Sequence, residues 1–318
     1  MSGKKQNDNS PTTQKLMVQL QKENNKKLFG TICGIAAAVC YGTNPLGARL
    51  YEEGMSPSTV LFWRFGLAWV IIAIVMLFRK EKLAVTKKEF ATLTALGLLF
   101  LASSLTLYVS FQMMAVGVAS TLLFVYPVLT AAIMAIFFRE KLTLSTISAI
   151  ILSFLGVMLL YWSPDGGSLS ILGVVLVLIS ALTYAIYIIV MNRSQLAMSS
   201  FKINFYVLIY CALGNMLMSL CTGQGLQLPA NAASWFYVCW LAVVPAILAL
   251  VMMVYAAKYI GSTPTAIMGA LEPLTAVLIG IFLFGEVFTT RLAFGIILIF
   301  SAVIIIALYS NRKSENVD

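Results

Sequence analysis

A glutamate followed by a proline, Glu272-Pro273, lies inside a long apolar stretch in the second half of the chain. An ionised carboxylate at the middle of a membrane costs about 2.5–3.5 kcal/mol on insertion scales, so such a residue normally faces a cavity or a partner. Pro273 has no backbone N–H to donate to Gly269, which would free that carbonyl. The pair predicts a polar break in a helix, suited to hydrogen bonding of a solute or to proton coupling. A glutamate that only locks helices together is the alternative.

Arg64 is a second charged side chain inside an apolar stretch, two helical turns after Ser56-Pro57. It could hold an anionic group of a solute or pair with Glu272. Two turns measure only about 10 Å, so the long side chain could instead reach the membrane surface. The sequence leaves these alternatives open.

Polar and aromatic residues in other apolar stretches could line a cavity. Tyrosine joins an apolar ring to a polar tip, which suits it to an amphipathic solute, although a tyrosine taken alone is more readily explained by packing or by anchoring at the membrane interface. The residues that we expect to line a solute pathway are Tyr41, Asn44, Arg64, Tyr108, Gln112, Tyr126, Tyr184, Tyr187 and Glu272. The residues that we expect to break helices are Pro45, Pro127 and Pro273.

The residue types exclude most enzyme chemistry. The chain has no histidine, which removes Ser/His catalysis and the HExxH zinc site. No apolar stretch contains an aspartate, and no glycine-rich phosphate loop is present. The five cysteines have no CxxC spacing, so we expect neither disulfides nor metal ligands. We therefore expect no enzyme activity, no metal and no cofactor.

Membrane helices must position these residues. Hydrophobic residues make up 60% of the chain and charged residues 10%, against about 25% charged in soluble domains. The apolar stretches are long enough to cross a hydrocarbon core of about 30 Å and lack the alternation of barrel strands. The composition predicts an all-α polytopic membrane protein. Ten transmembrane helices are predicted at residues 28–50, 56–78, 88–115, 117–138, 142–162, 169–191, 202–221, 231–257, 261–284 and 291–310.

The basic residues predict the orientation of the chain. With a cytoplasmic N-terminus, all of the 21 Lys and Arg residues except Arg49, Arg64 and Arg291 lie on the cytoplasmic side. The net charge of +9 is therefore a topology signal and does not indicate a nucleic-acid partner. We expect a bacterial inner-membrane protein with both termini cytoplasmic, ending in polar tails at 1–27 (disordered) and 311–318. The expected partners are a small solute and the lipid bilayer, and a homodimer is left open.

The two halves of the chain repeat each other. One shift places Tyr126-Pro127 on Glu272-Pro273 and Glu140 on Glu286. A second places Gly30 on Gly173 and Tyr41 on Tyr184. The repeats are predicted at 28–162 and 169–310. Five helices per repeat insert the second copy upside down, an architecture of secondary transporters. Glu140 and Glu286, at the entry to the last helix of each repeat, are interpreted as structural or gating residues.

Three segments carry a family resemblance. The segment from Ala256 to Gly295 resembles the signature half of the EamA-type family of the drug/metabolite transporter superfamily. The segment from Tyr126-Pro127 to Glu140 is similar to its first copy, and Phe62-Trp63-Arg64-Phe65 resembles the family's helix 2 motif. The resemblance implies ten helices, cytoplasmic termini, and a central cavity formed by helices 1–4 and 6–9. Family members move amino acids, sugars, nucleotide-related metabolites or drugs.

The combined interpretation is a secondary transmembrane transporter that works by alternating access. We expect an exporter of a small metabolite such as an amino acid or a related solute, with proton coupling left open. The alternatives are a facilitative channel or a lipid flippase.

Overall fold

The computed structural model describes residues 11–138, 144–161, 170–194, 196–260, 265, 268–269 and 271–315. Within these residues the regular structure is helical throughout. The helices are α1 (Pro11–Tyr41), α2 (Pro57–Phe78), α3 (Lys87–Ser110), α4 (Val116–Leu123), α5 (Tyr126–Phe138), α6 (Leu144–Tyr161), α7 (Ile171–Arg193), α8 (Ser200–Cys221), α9 (Ala232–Val243), α10 (Ala249–Ile260), α11 (Leu271–Phe284) and α12 (Thr290–Glu315).

Six helical segments are long and apolar enough to cross a membrane. They are Pro57–Phe78, Lys87–Ser110, Val116–Phe138, Ile171–Arg193, Ser200–Cys221 and Ala232–Ile260. Three shorter apolar helices are Ile147–Leu159, Leu271–Phe284 and Thr290–Ile305. The chain is thus an all-helical, multi-pass membrane protein. Helix length and composition in the described residues support six crossings and leave the predicted number of ten as a prediction.

The first and last helices extend into the predicted polar tails. α1 begins at Pro11 and α12 continues to Glu315, so residues 11–27 and 311–315 are helical where the sequence predicts tails. Residues such as Gln, Lys and Glu have good helix propensity, and a helix already nucleated by its apolar part extends at little cost.

Proline and serine explain several helix boundaries. The Ser56 hydroxyl accepts the backbone N–H of Thr59 at 3.2 Å, and Pro57 opens α2, as the sequence predicts. Pro45 begins a 3-10 helix, Asn44–Tyr51, that follows α1. The sequence analysis missed Pro245, which lies in a π-helical turn, Val244–Leu248, between α9 and α10.

Two other helices are broken where the sequence predicts continuous ones. The predicted helix at 117–138 is divided by a turn at Phe124-Val125 into α4 and α5. In the predicted helix at 261–284, Thr265 and Met268 are helical, Gly269 lies in a turn, and α11 begins at Leu271. Glu272 therefore lies in the first turn of a helix and not in its middle. Because Pro127 and Pro273 lack an N–H, each fits the first turn of its helix.

The packing of the two repeats follows one pattern. α1, the first helix of one repeat, packs along α10, which belongs to the third predicted helix of the other repeat. α7 and α3 form the same pair with the two repeats interchanged. Three further close pairs each join a helix to its own counterpart, namely α2 with α8, α4 with α11, and α6 with α12, and α3 also packs along α8. The contacts are those expected of two halves related by a two-fold axis, with the space between α1–α5 and α7–α11 at its centre.

Candidate solute-binding cavity

A cavity of about 260 Å³ lies between the two repeats. Helices from both repeats contribute to its wall, and so does the start of the 3-10 helix. Its lining residues are Tyr41, Asn44, Arg64, Phe65, Phe100, Ser103, Ser104, Leu107, Tyr108, Leu123, Tyr126, Tyr184, Met253 and Glu272. The cavity therefore brings together most of the residues that the sequence analysis selected.

Arg64 forms the cationic part of the wall. Its side chain does not reach the membrane surface, since only 7% of the residue is exposed. Nη1 donates a hydrogen bond of 2.8 Å to the hydroxyl of Tyr108, which in turn donates to the carbonyl oxygen of Asn44 at 3.2 Å. The guanidinium carbon lies 5.0 Å from the centroid of the Phe65 ring, a cation–π distance. These contacts hold the charge at the cavity.

Two polar atoms at this wall have no partner within the described residues. They are Nε of Arg64, a donor, and Oδ1 of Asn44, an acceptor, and both are buried. A buried polar group without a hydrogen bond costs about 1–3 kcal/mol. Both residues line the cavity, so a molecule that offers one acceptor and one donor would remove both costs once the two side chains turn these shielded atoms towards it.

Glu272 forms the anionic part of the wall, in the first turn of α11. The N-terminus of a helix stabilises a negative charge. The Gly269 carbonyl that we expected to be free accepts the backbone N–H of Glu272 at 3.0 Å. The expectation of a free carbonyl was wrong because Gly269 lies in the turn that precedes α11, and that turn is closed by this hydrogen bond. A β-carbon at Gly42 would lie 2.6 Å from the Glu272 carbonyl oxygen, so the absence of a side chain at Gly42 permits this approach.

Arg64 and Glu272 line one cavity without forming a direct ion pair in the described structure. The sequence analysis left a pair between them open, and the geometry leaves the two charges separate. A cation and an anion held apart across a cavity can each bind the opposite charge of one solute.

Tyrosine and phenylalanine rings form the remaining wall. The ring centroids of Tyr126 and Tyr184 are 4.7 Å apart at an angle of 79°. Tyr187 stacks on Tyr184 at 5.8 Å and also contacts Phe100 at 5.4 Å. Tyr187 therefore supports the cavity wall from behind, since it is not a lining residue itself. Aromatic faces of this kind suit an apolar or aromatic part of a solute.

Ser103 and Ser104 complete the polar lining on α3. The Ser103 hydroxyl and the Ser180 hydroxyl lie 3.1 Å apart, which links α3 to α7 across the repeats. Ser104 donates to the carbonyl of Phe100 at 2.8 Å, within its own helix.

Some predicted residues lie elsewhere. Gln112 is exposed in the turn after α3 and does not line the cavity. Glu140 lies outside the described residues. Pro45 and Pro273 are buried beside the cavity, next to the lining residues Asn44 and Glu272.

The sequence analysis missed the apolar lining. Phe65, Phe100, Leu107, Leu123 and Met253 line the cavity, and no sequence pattern distinguishes these residues from other apolar ones. Apolar residues are equally suited to lipid, to packing and to a pocket.

Glu286 lies at one end of the bundle, away from the cavity. Its carboxylate accepts the backbone N–H of Val116 at 2.5 Å and that of Gly117 at 3.1 Å. It therefore caps α4 of the other repeat, although its own place in the chain is just before α12. Partial burial raises the pKa of Glu286, and the two N–H donors act in the opposite direction.

A multi-pass helical bundle around one polar cavity is an architecture that many membrane transporters share. The comparison with known families identifies the group within that class. The sequence model of the EamA-like transporter family matches residues 28–162 and 171–308. The chain belongs to this family, and it is a membrane transporter.

Curated relatives carry the same kind of description. An uncharacterized transporter of Archaeoglobus fulgidus is 27% identical over 195 residues, which span 60% of this chain and 66% of the relative, slightly under two thirds of its length. The uncharacterized transporter YcbK of Bacillus subtilis is 22% identical over 81% of this chain and 86% of its own. An uncharacterized transporter of Clostridium kluyveri is 23% identical over 90% and 95%.

One crystal structure matches the fold with a TM-score of 0.61 at 16% sequence identity. The match covers 89% of this chain and 98% of the other. At this identity the likeness shows a shared fold and nothing about the solute.

Proposed function

We propose that this transporter is a secondary carrier of a small zwitterionic metabolite, such as an amino acid, which binds in the cavity between the repeats. The observation that supports this most is the separation of Arg64 from Glu272 on the wall of one cavity. A solute with one positive and one negative group would place an opposite charge beside each of these two residues.

The unpartnered atoms favour the same solute. Nε of Arg64 needs an acceptor and Oδ1 of Asn44 needs a donor. A solute carboxylate would accept from Arg64 in a charge-assisted hydrogen bond. A solute ammonium has three donors, enough for both Asn44 and Glu272. A purely anionic or purely cationic solute would satisfy only one side of this wall.

The size and lining of the cavity set the rest of the solute. Drug-sized ligands occupy pockets of about 300–1,000 Å³, and this cavity of about 260 Å³ is at the small end. The rings of Phe100, Tyr126 and Tyr184 offer apolar contact beside the charged groups. We expect a small solute with an apolar side chain.

The mechanism that we propose is alternating access. Ten crossings in two inverted repeats, with both termini in the cytoplasm of a bacterium, would let the same contacts form with the cavity open to either side. The symmetric helix pairing supports such an exchange. In this scheme transport is driven by the solute gradient or by protons, and no covalent step occurs. Export is the direction that we expect.

Purified protein in proteoliposomes tests this proposal. Solutes are compared in sets that share a side chain and differ in charge: leucine with 3-methylbutylamine and 4-methylpentanoate, and phenylalanine with its corresponding amine and acid. We expect saturable uptake of a zwitterion, with the singly charged analogues at least about tenfold slower, because each loses a hydrogen bond to a charged group. An imposed pH gradient and reversed loading then test proton coupling and direction.

Other outcomes would redirect the proposal. Equal uptake of all three members of each set would contradict a zwitterion site. Uptake that does not saturate indicates a channel, and translocation of a fluorescent lipid indicates a flippase.

A further inference from the structure

Glu286 joins the two repeats at one end of the helical bundle, near one side of the membrane. It lies between α11 and α12, and its carboxylate binds the first two backbone N–H groups of α4. Leu123, at the other end of α4, lines the cavity. Seven residues separate it from Val116, which places the Glu286 contact about 10 Å from the cavity along α4. The contact therefore closes one end of the space between α4 and α11.

Two glycines make room for this carboxylate. A β-carbon at Gly280 would lie 2.2 Å from Oε2 of Glu286, and one at Gly117 would lie 2.9 Å from the same atom. Neither distance is possible for an ordinary contact, so any side chain at Gly280 must displace the carboxylate. Glycine at both positions is a steric requirement of the contact.

The backbone turns Glu286 back towards α11. Gly285 has φ of +66°, a left-handed conformation that glycine adopts without strain. The N–H of Glu286 donates to the carbonyl of Gly280 at 3.0 Å. This is a helix C-terminal turn of the kind that glycine closes.

Arg49 holds the same helix end from the other side. Its Nη2 donates to the carbonyl of Leu283, and its guanidinium lies 5.0 Å from the centroid of the Phe284 ring. Arg49 belongs to the first repeat, as α4 does. The C-terminal end of α11 is thus bound to the first repeat at two points.

The sequence of the other copy lacks these features. The shift that places Glu140 on Glu286 places Met134 on Gly280 and Arg139 on Gly285, and it pairs Thr263 with Gly117. All three glycine positions carry side chains in that comparison. The glycines that make room for this contact are therefore present in the sequence for Glu286 and absent from the corresponding positions for Glu140.

We propose that the contact of Glu286 with Val116 and Gly117 is a gate latch, which holds the cavity closed at that membrane end and must release for the solute to pass. The latch rests on the proposed carrier function, but its test needs no solute. The carboxylate accepts two main-chain N–H groups at the N-terminus of α4, so both hydrogen bonds break together when α4 and α11 separate.

Cysteine labelling measures the latch directly. Ser104→Cys places a reporter thiol in the cavity, and a membrane-impermeant maleimide is applied to vesicles of each orientation. Parallel vesicles without the reporter correct for the natural cysteines. We expect Glu286→Ala to speed labelling at least about tenfold from one membrane side only, since two charge-assisted hydrogen bonds are lost.

A second variant displaces the carboxylate without replacing Glu286 itself. Gly280→Ala should accelerate labelling from the same side, because its β-carbon would lie only 2.2 Å from Oε2 and must push the carboxylate away. If Glu286→Ala is not recovered as a monodisperse protein, Gly280→Ala decides alone. Unchanged labelling in the folded variants overturns the proposal, as does an equal increase from both sides.

Matched controls distinguish release of the latch from a general weakening of the helix packing. Gly66→Ala adds a β-carbon in α2 where nothing lies within 4 Å. Glu89→Ala removes a carboxylate that caps a helix N-terminus, but within its own helix, through Thr86. Both should label at the parent rate. Failure of every solute to exchange, with the labelling result as expected, would reject the carrier and keep the latch.

Discussion

Glu272→Gln is expected to lower the rate of solute exchange by about tenfold to a hundredfold while leaving the fold intact. Glutamine has the shape of glutamate, but its amide carries no charge and keeps only one acceptor oxygen. A hydrogen bond between a solute ammonium and a charged partner contributes about 1.5–3 kcal/mol, and each 1.4 kcal/mol is tenfold in affinity. Glu272 is the carboxylate on the cavity wall, so no other lining residue replaces it.

The measurement is exchange of the preferred solute in proteoliposomes, with the amount of reconstituted protein quantified. Thr275→Val is the matched control, because Thr275 lies one turn further along α11 and its hydroxyl donates only within the helix, to Leu271. We expect that variant to exchange within about twofold of the parent. If protons are coupled through Glu272, the response to a pH gradient also disappears in Glu272→Gln. Parental rates and an unchanged pH response would assign Glu272 a structural role.

Arg64→Met is expected to raise the half-saturating solute concentration by about tenfold to a hundredfold. Methionine keeps much of the length and apolar contact of arginine but removes the charge that a solute carboxylate would bind. Tyr108 still donates to the Asn44 carbonyl in this variant, so no buried hydroxyl loses all of its partners. The loss should therefore affect binding more than folding.

Two further variants, one at Arg64 and one at its hydrogen-bond partner Tyr108, should give smaller losses. Arg64→Lys keeps the charge but not the planar group, so it should recover part of the affinity. Tyr108→Phe removes the hydroxyl that fixes the guanidinium and should weaken binding less than Arg64→Met does. Kinetic curves for the carboxylate-free amine are the control: Arg64→Met should not weaken its uptake. An equal loss for the zwitterion and the amine would mean that Arg64 holds the helices and not the solute.

The charged residues of the cavity were predictable from the sequence. A charge inside an apolar stretch is costly, and for that reason Glu272 and Arg64 stand out from their neighbours. The tyrosines were visible only as a group, through the repeat that relates Tyr41 to Tyr184. Their arrangement, with Tyr184 between Tyr126 and Tyr187, needed the structure.

The helix breaks and the apolar lining were not predictable in the same way. In a membrane, the lipid-facing and buried faces of a helix are both apolar, so periodicity does not mark the face that lines a cavity. The turn at Phe124-Val125 and the late start of α11 both precede an X-Pro pair, a signal that marks a boundary without fixing its position. Leu107 and Met253 carry no sequence signal for the cavity at all.

Glu286 shows most clearly which contacts a local sequence pattern does not predict. An acidic residue before a helix suggests a cap for that helix, and the sequence placed Glu286 just before α12. The structure places its carboxylate on α4 of the other repeat instead. No local pattern contains a contact between Glu286 and Val116, since it arises only when the two repeats pack.

The most direct test of the central claim is counterflow in proteoliposomes. Vesicles are loaded with an unlabelled zwitterionic amino acid, and the entry of a labelled trace of the same solute is followed over time. A carrier with one alternating cavity should accumulate the label transiently above its external concentration, and Glu272→Gln should abolish this overshoot. Entry that only approaches the external concentration, with the same time course in loaded and empty vesicles, would contradict a carrier.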